Sequence, residues 1–165
     1  LATHQKQSID SDPIDPSDPI DPMKKILLIT ERIMLTLWVG CLWAVGLMVA
    51  PVLFAQLDDR ALAGSLAGNL FTLTALLGLA CGSTLLIASL LRTARYDWRA
   101  WVTTAMLLLV AAGQFMLTPM MSELRARELA DSAEFMRLHG LASLLFMLTA
   151  GLGLWLVAAG RTPTD

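Results

Sequence analysis

The side chains able to do chemistry within the apolar stretches of this sequence are few: Gln56, Asn69, Gln114, Thr118, His139 and Ser143. Amides and hydroxyls exchange hydrogen bonds, and an imidazole can also change charge near neutral pH or ligate a metal. Placing such groups in hydrocarbon is costly, which makes each a candidate for function. Gln56, Asn69, Gln114 and His139 fall one to an apolar segment and lie toward the same side. Their shared depth predicts one polar pocket, with Asn69, Gln114 and His139 turned inward and Gln56 at the rim. The alternative is four interfacial residues that meet headgroups and water. The apolar runs contain no Asp, Glu, Lys or Arg, so a carboxylate proton relay or a charged substrate clamp has no residues to work with.

Other chemistries find less support. His139 is the one histidine of the apolar part, whereas a bis-histidine haem needs two ligands. Met116, Met120, Met121 and Met136 lie near the same end. Thioether and imidazole together suit copper(I), but methionine near a helix end more often fills gaps. Cys41 and Cys81 come to similar depths and read as two small buried hydrophobes, with a soft-metal pair as the alternative. No phosphate-binding loop, zincin motif or serine-histidine-acid arrangement is present. The expectation is therefore no enzyme activity, no cofactor and no metal.

The elements that must position these residues are legible in the charge distribution. Of 165 residues, 56% are hydrophobic and 16% charged, against about a quarter charged in a typical soluble domain. Charges are absent from Ile33 to Leu57, Ala61 to Leu91, Ala100 to Ser122 and Leu138 to Gly160, His139 aside. Each run meets the roughly 20 residues that cross a bilayer core. Backbone groups in hydrocarbon must be satisfied within their own segment, so the runs must be helices. The expected spans are Ile33–Leu57, Leu62–Leu91, Ala100–Met121 and His139–Gly160, with Pro119 bending or ending the third. Short polar turns at Asp58–Arg60 and Arg92–Arg99 make consecutive helices antiparallel neighbours. The fold class is all-α, an integral membrane four-helix bundle running up-down-up-down.

Residues 1–22 repeat Ile-Asp with proline and acidic residues, and are expected to be a disordered tail before a four-helix transmembrane domain over 23–165. Met23-Lys24-Lys25 reads as a natural start, so the tail is expected to come from an over-long reading frame or an alternative upstream start codon, with an acidic docking tail as the other reading. Residues 122–138 form a polar connector. Ala126, Leu129, Ala133, Met136 and Gly140 recur at helical spacing, and Glu123–Arg127, Arg127–Asp131 and Glu134–Arg137 can pair across a turn. This pattern predicts an amphipathic helix on the membrane surface or an extension of the third helix.

Orientation follows from the basic residues. Lys24, Lys25, Arg32, Arg92, Arg95, Arg99 and Arg161 fall on the N-terminal side, and Arg60, Arg125, Arg127 and Arg137 on the other. The excess places both termini in the cytoplasm. Trp98, Trp101 and Trp155 fit an aromatic belt at that interface, with Trp38 about a turn inside it and Trp43 deeper, in packing. Lipid offers no hydrophobic drive for helix association, so small residues spaced by four mark contact faces. Gly64–Gly68 and Thr74–Gly78–Gly82 do this on the second helix, and Gly40–Ala44 and Gly46–Ala50 on the first. The second helix is the expected centre of the bundle.

LWVGCLWAVGLMVAPVLFAQL, ALAGSLAGNLF, QFMLTPMMSELR and FMRLHGLASLLFML together resemble the transmembrane-protein-205-like family, known in bacteria as domain of unknown function 4149. The resemblance runs from about Arg32 to Val157. It implies a four-helix protein of the bacterial inner membrane and implies no activity, cofactor or substrate. The functional expectation is a non-enzymatic accessory or stress-related membrane factor. The alternatives are a small-molecule or soft-metal transporter and a haem- or quinone-binding redox protein using His139. The expected partners are the lipid bilayer and a membrane protein or second copy of the chain. Nucleic acid is excluded by the lack of any basic tract.

Overall fold

The computed structural model describes residues 22–93 and 97–160. The expected tail lies outside the described residues except for Pro22, as do Arg95 and Arg161. Every element among the described residues is helical. Four long helices are apolar enough to cross a membrane: the first at Pro22–Gln56, the second at Arg60–Thr93, the third at Trp98–Ala126 and the fourth at Ala133–Ala158. They pack as a closed antiparallel ring in which first meets second, second meets third, third meets fourth and fourth returns to the first. The second helix also reaches the fourth across the ring, through the edge-to-face contact of Phe71 with Phe146 at 5.1 Å, so it touches all three others.

Local sequence explains where three helices begin. The Asp59 carboxylate accepts from the Ala61 and Leu62 N–H groups at 2.8 and 3.0 Å. Asp97 accepts from Ala100 N–H at 2.8 Å, and the Ser132 hydroxyl from Phe135 N–H at 3.2 Å. Each cap satisfies a donor that the first helical turn leaves without a partner.

Two helices pass through a proline without ending. Ala44–Val49 and Gly113–Leu117 are π-helical, and each segment stops two residues before a proline, Pro51 or Pro119. Ala50 N–H reaches back to Val45 O, and Thr118 N–H to Gly113 O, five residues in each case. Proline lacks an N–H and clashes with the carbonyl four residues earlier. Widening the preceding turn moves that carbonyl aside, and the Thr118 hydroxyl also donates to Gly113 O at 3.1 Å. The third helix therefore continues past Pro119 to Ala126.

The packed interior lies nearer the N-terminal end. Trp38, Leu42, Cys81, Leu85, Met106 and Leu156 belong to one buried cluster. Trp38 is fully buried, which corrects its placement near an interfacial belt. Its ring fills a notch on the second helix: a β-carbon on Gly78 would come within 2.4 Å of Trp38 Nε1, and one on Gly82 within 2.7 Å of Cζ3. Large apolar side chains such as Met48, Leu91 and Leu108 are exposed on the outside, as lipid contact requires. Buried Thr74 and Thr149 instead donate to their own helices, at Leu70 O and Leu145 O, both 2.8 Å.

The glycines divide by what surrounds them. On Gly46 a β-carbon would strike the Phe146 ring at 2.7 Å. On Gly64 it would graze Phe54 at 4.0 Å, and on Gly68 it would stand 3.4 Å from Arg125 Nη1. Gly40 has nothing within 4 Å, so it makes no helix contact and leaves the packing set. Gly40→Ala is thus expected to keep or slightly raise thermal stability in detergent, since alanine favours helix by about 1 kcal/mol. Gly82→Ala should lower it. Equal effects of the two substitutions on the unfolding temperature would remove the distinction.

Candidate functional site

The four polar residues selected from the sequence do not assemble into one pocket. Gln56, Asn69 and His139 are exposed and Gln114 is half-buried. Among the described residues no hydrogen bond joins any of their side chains. Helical geometry explains the outcome for Asn69. The buried face of the second helix runs through Ala63, Ala67, Thr74, Gly78 and Cys81, and Asn69 is turned away from it. Met116, Met120 and Met136 are likewise exposed and line no interior site with His139. Cys81 is buried and Cys41 half-buried, both as free thiols.

The connector is also not one amphipathic helix. The third helix ends at Ala126, the chain turns, and the fourth begins at Ala133. Glu128 takes the left-handed φ of 60°, and Leu129 N–H closes back on Leu124 O at 2.9 Å. That is a helix-ending turn in which glycine is usual. Glu123 of the third helix pairs at 2.5 Å with Arg127, the residue just past its end. The turn breaks the spacing for Arg127–Asp131 and separates Ala126 from the face of Ala133, Met136 and Gly140.

What this end does organise is Arg125, which sequence reasoning counted only as a loop charge. The third helix runs on long enough to carry it over the bundle. Its guanidinium sits 5.2 Å above the Phe135 ring of the fourth helix and against Gly68 of the second. Phe135 in turn stacks on His139 one helical turn later, with centroids 6.2 Å apart and planes 6° from parallel. Asn69 adjoins Gly68. A single cation thus touches the second and fourth helices, with an exposed amide beside one contact and an exposed imidazole beside the other. The useful signal in the sequence was a glycine on the second helix within a side-chain length of an arginine near the end of the third.

The opposite end has its own arginine. Arg99 donates from Nη1 to Gly160 O at 2.6 Å and from Nη2 to Leu156 O at 3.0 Å. It also lies 5.2 Å from the Trp98 ring, and Trp98 and Trp155 sit 5.3 Å apart. The start of the third helix is thereby fastened to the end of the fourth. Nearby, Glu31 is buried at 8% exposure, two residues before the charge-free run that starts at Ile33. Glu31 lies seven residues before Trp38, and Ser89, also buried, seven after Gly82. Antiparallel helices set the two at one level. The bundle interior therefore does include a carboxyl group.

Two clefts open on the surface of the described residues. One, about 150 Å³, lies between the first and fourth helices and is lined by Trp43, Gly46, Phe146, Met147 and Gly151 among others. The second, also about 150 Å³, lies at the far end between Glu123, Arg127 and Glu134, with Met120, Leu124 and Leu138. Neither is lined by Gln56, Asn69, Gln114 or His139.

Residues 33–130 match a family described as Domain of unknown function (DUF4149). No curated protein and no solved structure matches the chain.

Proposed function

The chain belongs to the DUF4149 family, and on that premise we propose that it is a non-enzymatic accessory factor of the bacterial inner membrane with both termini in the cytoplasm. The observation that carries this reading is the closed interior. Trp38, Met106 and Leu156 are all but inaccessible and fill the ring toward its N-terminal end. A solute crossing the monomer would have to displace them, while the polar side chains Gln56, Asn69 and His139 face outward. Outward polar groups on an otherwise apolar surface suit contact with lipid headgroups or a partner membrane protein. The orientation rests on the seven basic residues of the N-terminal side against four on the other.

Co-purification of the tagged full chain from native membranes in mild detergent tests the role. A stoichiometric membrane-protein partner is the expected result. Recovery of the chain alone, together with solute uptake by proteoliposomes that contain nothing else, would overturn it. Topology has a separate check. A C-terminal reporter active only outside the cytoplasm should stay silent, and signal from it reverses the orientation.

A further inference from the structure

We propose that Arg125, held between Gly68 and Phe135, binds the phosphate of an anionic phospholipid in the leaflet at the far end of the bundle. The inference rests on the membrane-spanning fold and not on the accessory role. Depth is the first support. Gly68 lies eight residues into the second helix from Arg60, about 12 Å down its axis at 1.5 Å per residue. By leaning on Gly68 the guanidinium is drawn below the helix ends toward the boundary between headgroups and hydrocarbon. A β-carbon at position 68 would already stand at van der Waals distance from Nη1, so any longer side chain would push the cation away.

The second support is unspent hydrogen-bonding capacity. A guanidinium carries five N–H donors. Arg127 uses its own on Glu123, and Arg99 on two backbone carbonyls. Among the described residues no hydrogen bond or ion pair uses those of Arg125, whose partners are a ring face and a glycine. A positive charge at this depth is costly without an acceptor. The acceptor a bilayer supplies there is a phosphodiester, whose oxygens match the guanidinium fork. Asn69 and His139 stand exposed on either side, able to donate to headgroup oxygens.

The surface below selects a lipid over free phosphate. Asn69, Leu73 and Leu76 recur at helical spacing and are all exposed, Leu73 at 62%. A headgroup at Arg125 would lay its acyl chains along this apolar strip.

The test uses the purified full chain in neutral detergent, stripped of lipid and titrated with dioctanoyl phosphatidylglycerol. The readouts are unfolding temperature and native mass. Wild type and Arg127→Gln should both gain stability, whereas Arg125→Gln should need about tenfold more lipid for the same gain, the loss of one charged hydrogen-bonding contact. Equal titrations for Arg125→Gln and Arg127→Gln would overturn the site. So would an equal gain from dioctanoylglycerol, which lacks phosphate, or from inorganic phosphate. If Arg125→Gln fails to fold, Gly68→Leu keeps the arginine and crowds its seat, and an unchanged titration there overturns the proposal equally. Carbonate extraction of membranes separately reports on the membrane fold, since a chain released by carbonate refutes that fold whatever the lipid titration shows.

Discussion

Replacing Trp38 with alanine should destabilise the bundle by about 3 kcal/mol, the lower part of the range for emptying a buried aromatic site. The indole is fully buried and lies against two glycines of the second helix. In a bilayer the transfer contribution is small, because lipid tails are as apolar as the core, so lost dispersion and the residual cavity carry the effect. The opposite lesion is overpacking. Gly78→Leu forces a side chain into the space held by Nε1 and should cost about 1–3 kcal/mol. The two lesions ought to compensate, since leucine at 78 can enter the volume that tryptophan vacates. A double-mutant cycle in detergent is expected to show a favourable coupling of about 0.5–3 kcal/mol. Simple addition of the two costs would mean that Trp38 and Gly78 do not share a contact.

Arg99→Leu is the second large effect. Two charge-assisted hydrogen bonds to the carbonyls of Leu156 and Gly160 close the last turn of the fourth helix. The Leu156 carbonyl belongs to the last turn, where carbonyls lack onward helix partners and the negative dipole end lies, and Gly160 follows just past the helix end. Losing a hydrogen bond from a charged group costs about 1.5–3 kcal/mol. Arg99→Lys should recover only part of this, because an ammonium is a point charge and cannot span both carbonyls as a planar fork does. Hydrogen exchange supplies a local readout. Amides of the last turn, around Trp155 to Ala159, should exchange faster in Arg99→Leu while those around Thr149 stay protected. Unchanged protection at the helix end would show that the arginine does not hold it.

Several features were legible because they depend only on what each segment must do by itself. Four apolar runs without charge have to be helices in lipid, and the capping aspartates Asp59 and Asp97 lie at the short turns between them. Helix length was less legible. Pro22–Gln56 starts well before its charge-free run, because Lys24, Lys25 and Glu31 are compatible with a helix that projects from the hydrocarbon. The π-helical segments were not legible. Pro119 read as a bend or an end, and the wider turn that carries the chain through it is a backbone choice that no single residue announces.

Segment identity, depth and strand-free architecture were thus determined by sequence alone, because rise along a helix is a fixed length per residue and lipid permits no other backbone solution here. Azimuth was decided by tertiary structure. Asn69, Gln114 and His139 share a depth, yet which way each faces depends on where the neighbouring helices stand, and that is set by large contacts elsewhere such as Trp38 in the Gly78–Gly82 notch. The same contacts buried Glu31 and left Gly40 open. They also brought Arg125 against Gly68, distant in the chain, while its contact with Phe135 spans only the turn between the third and fourth helices.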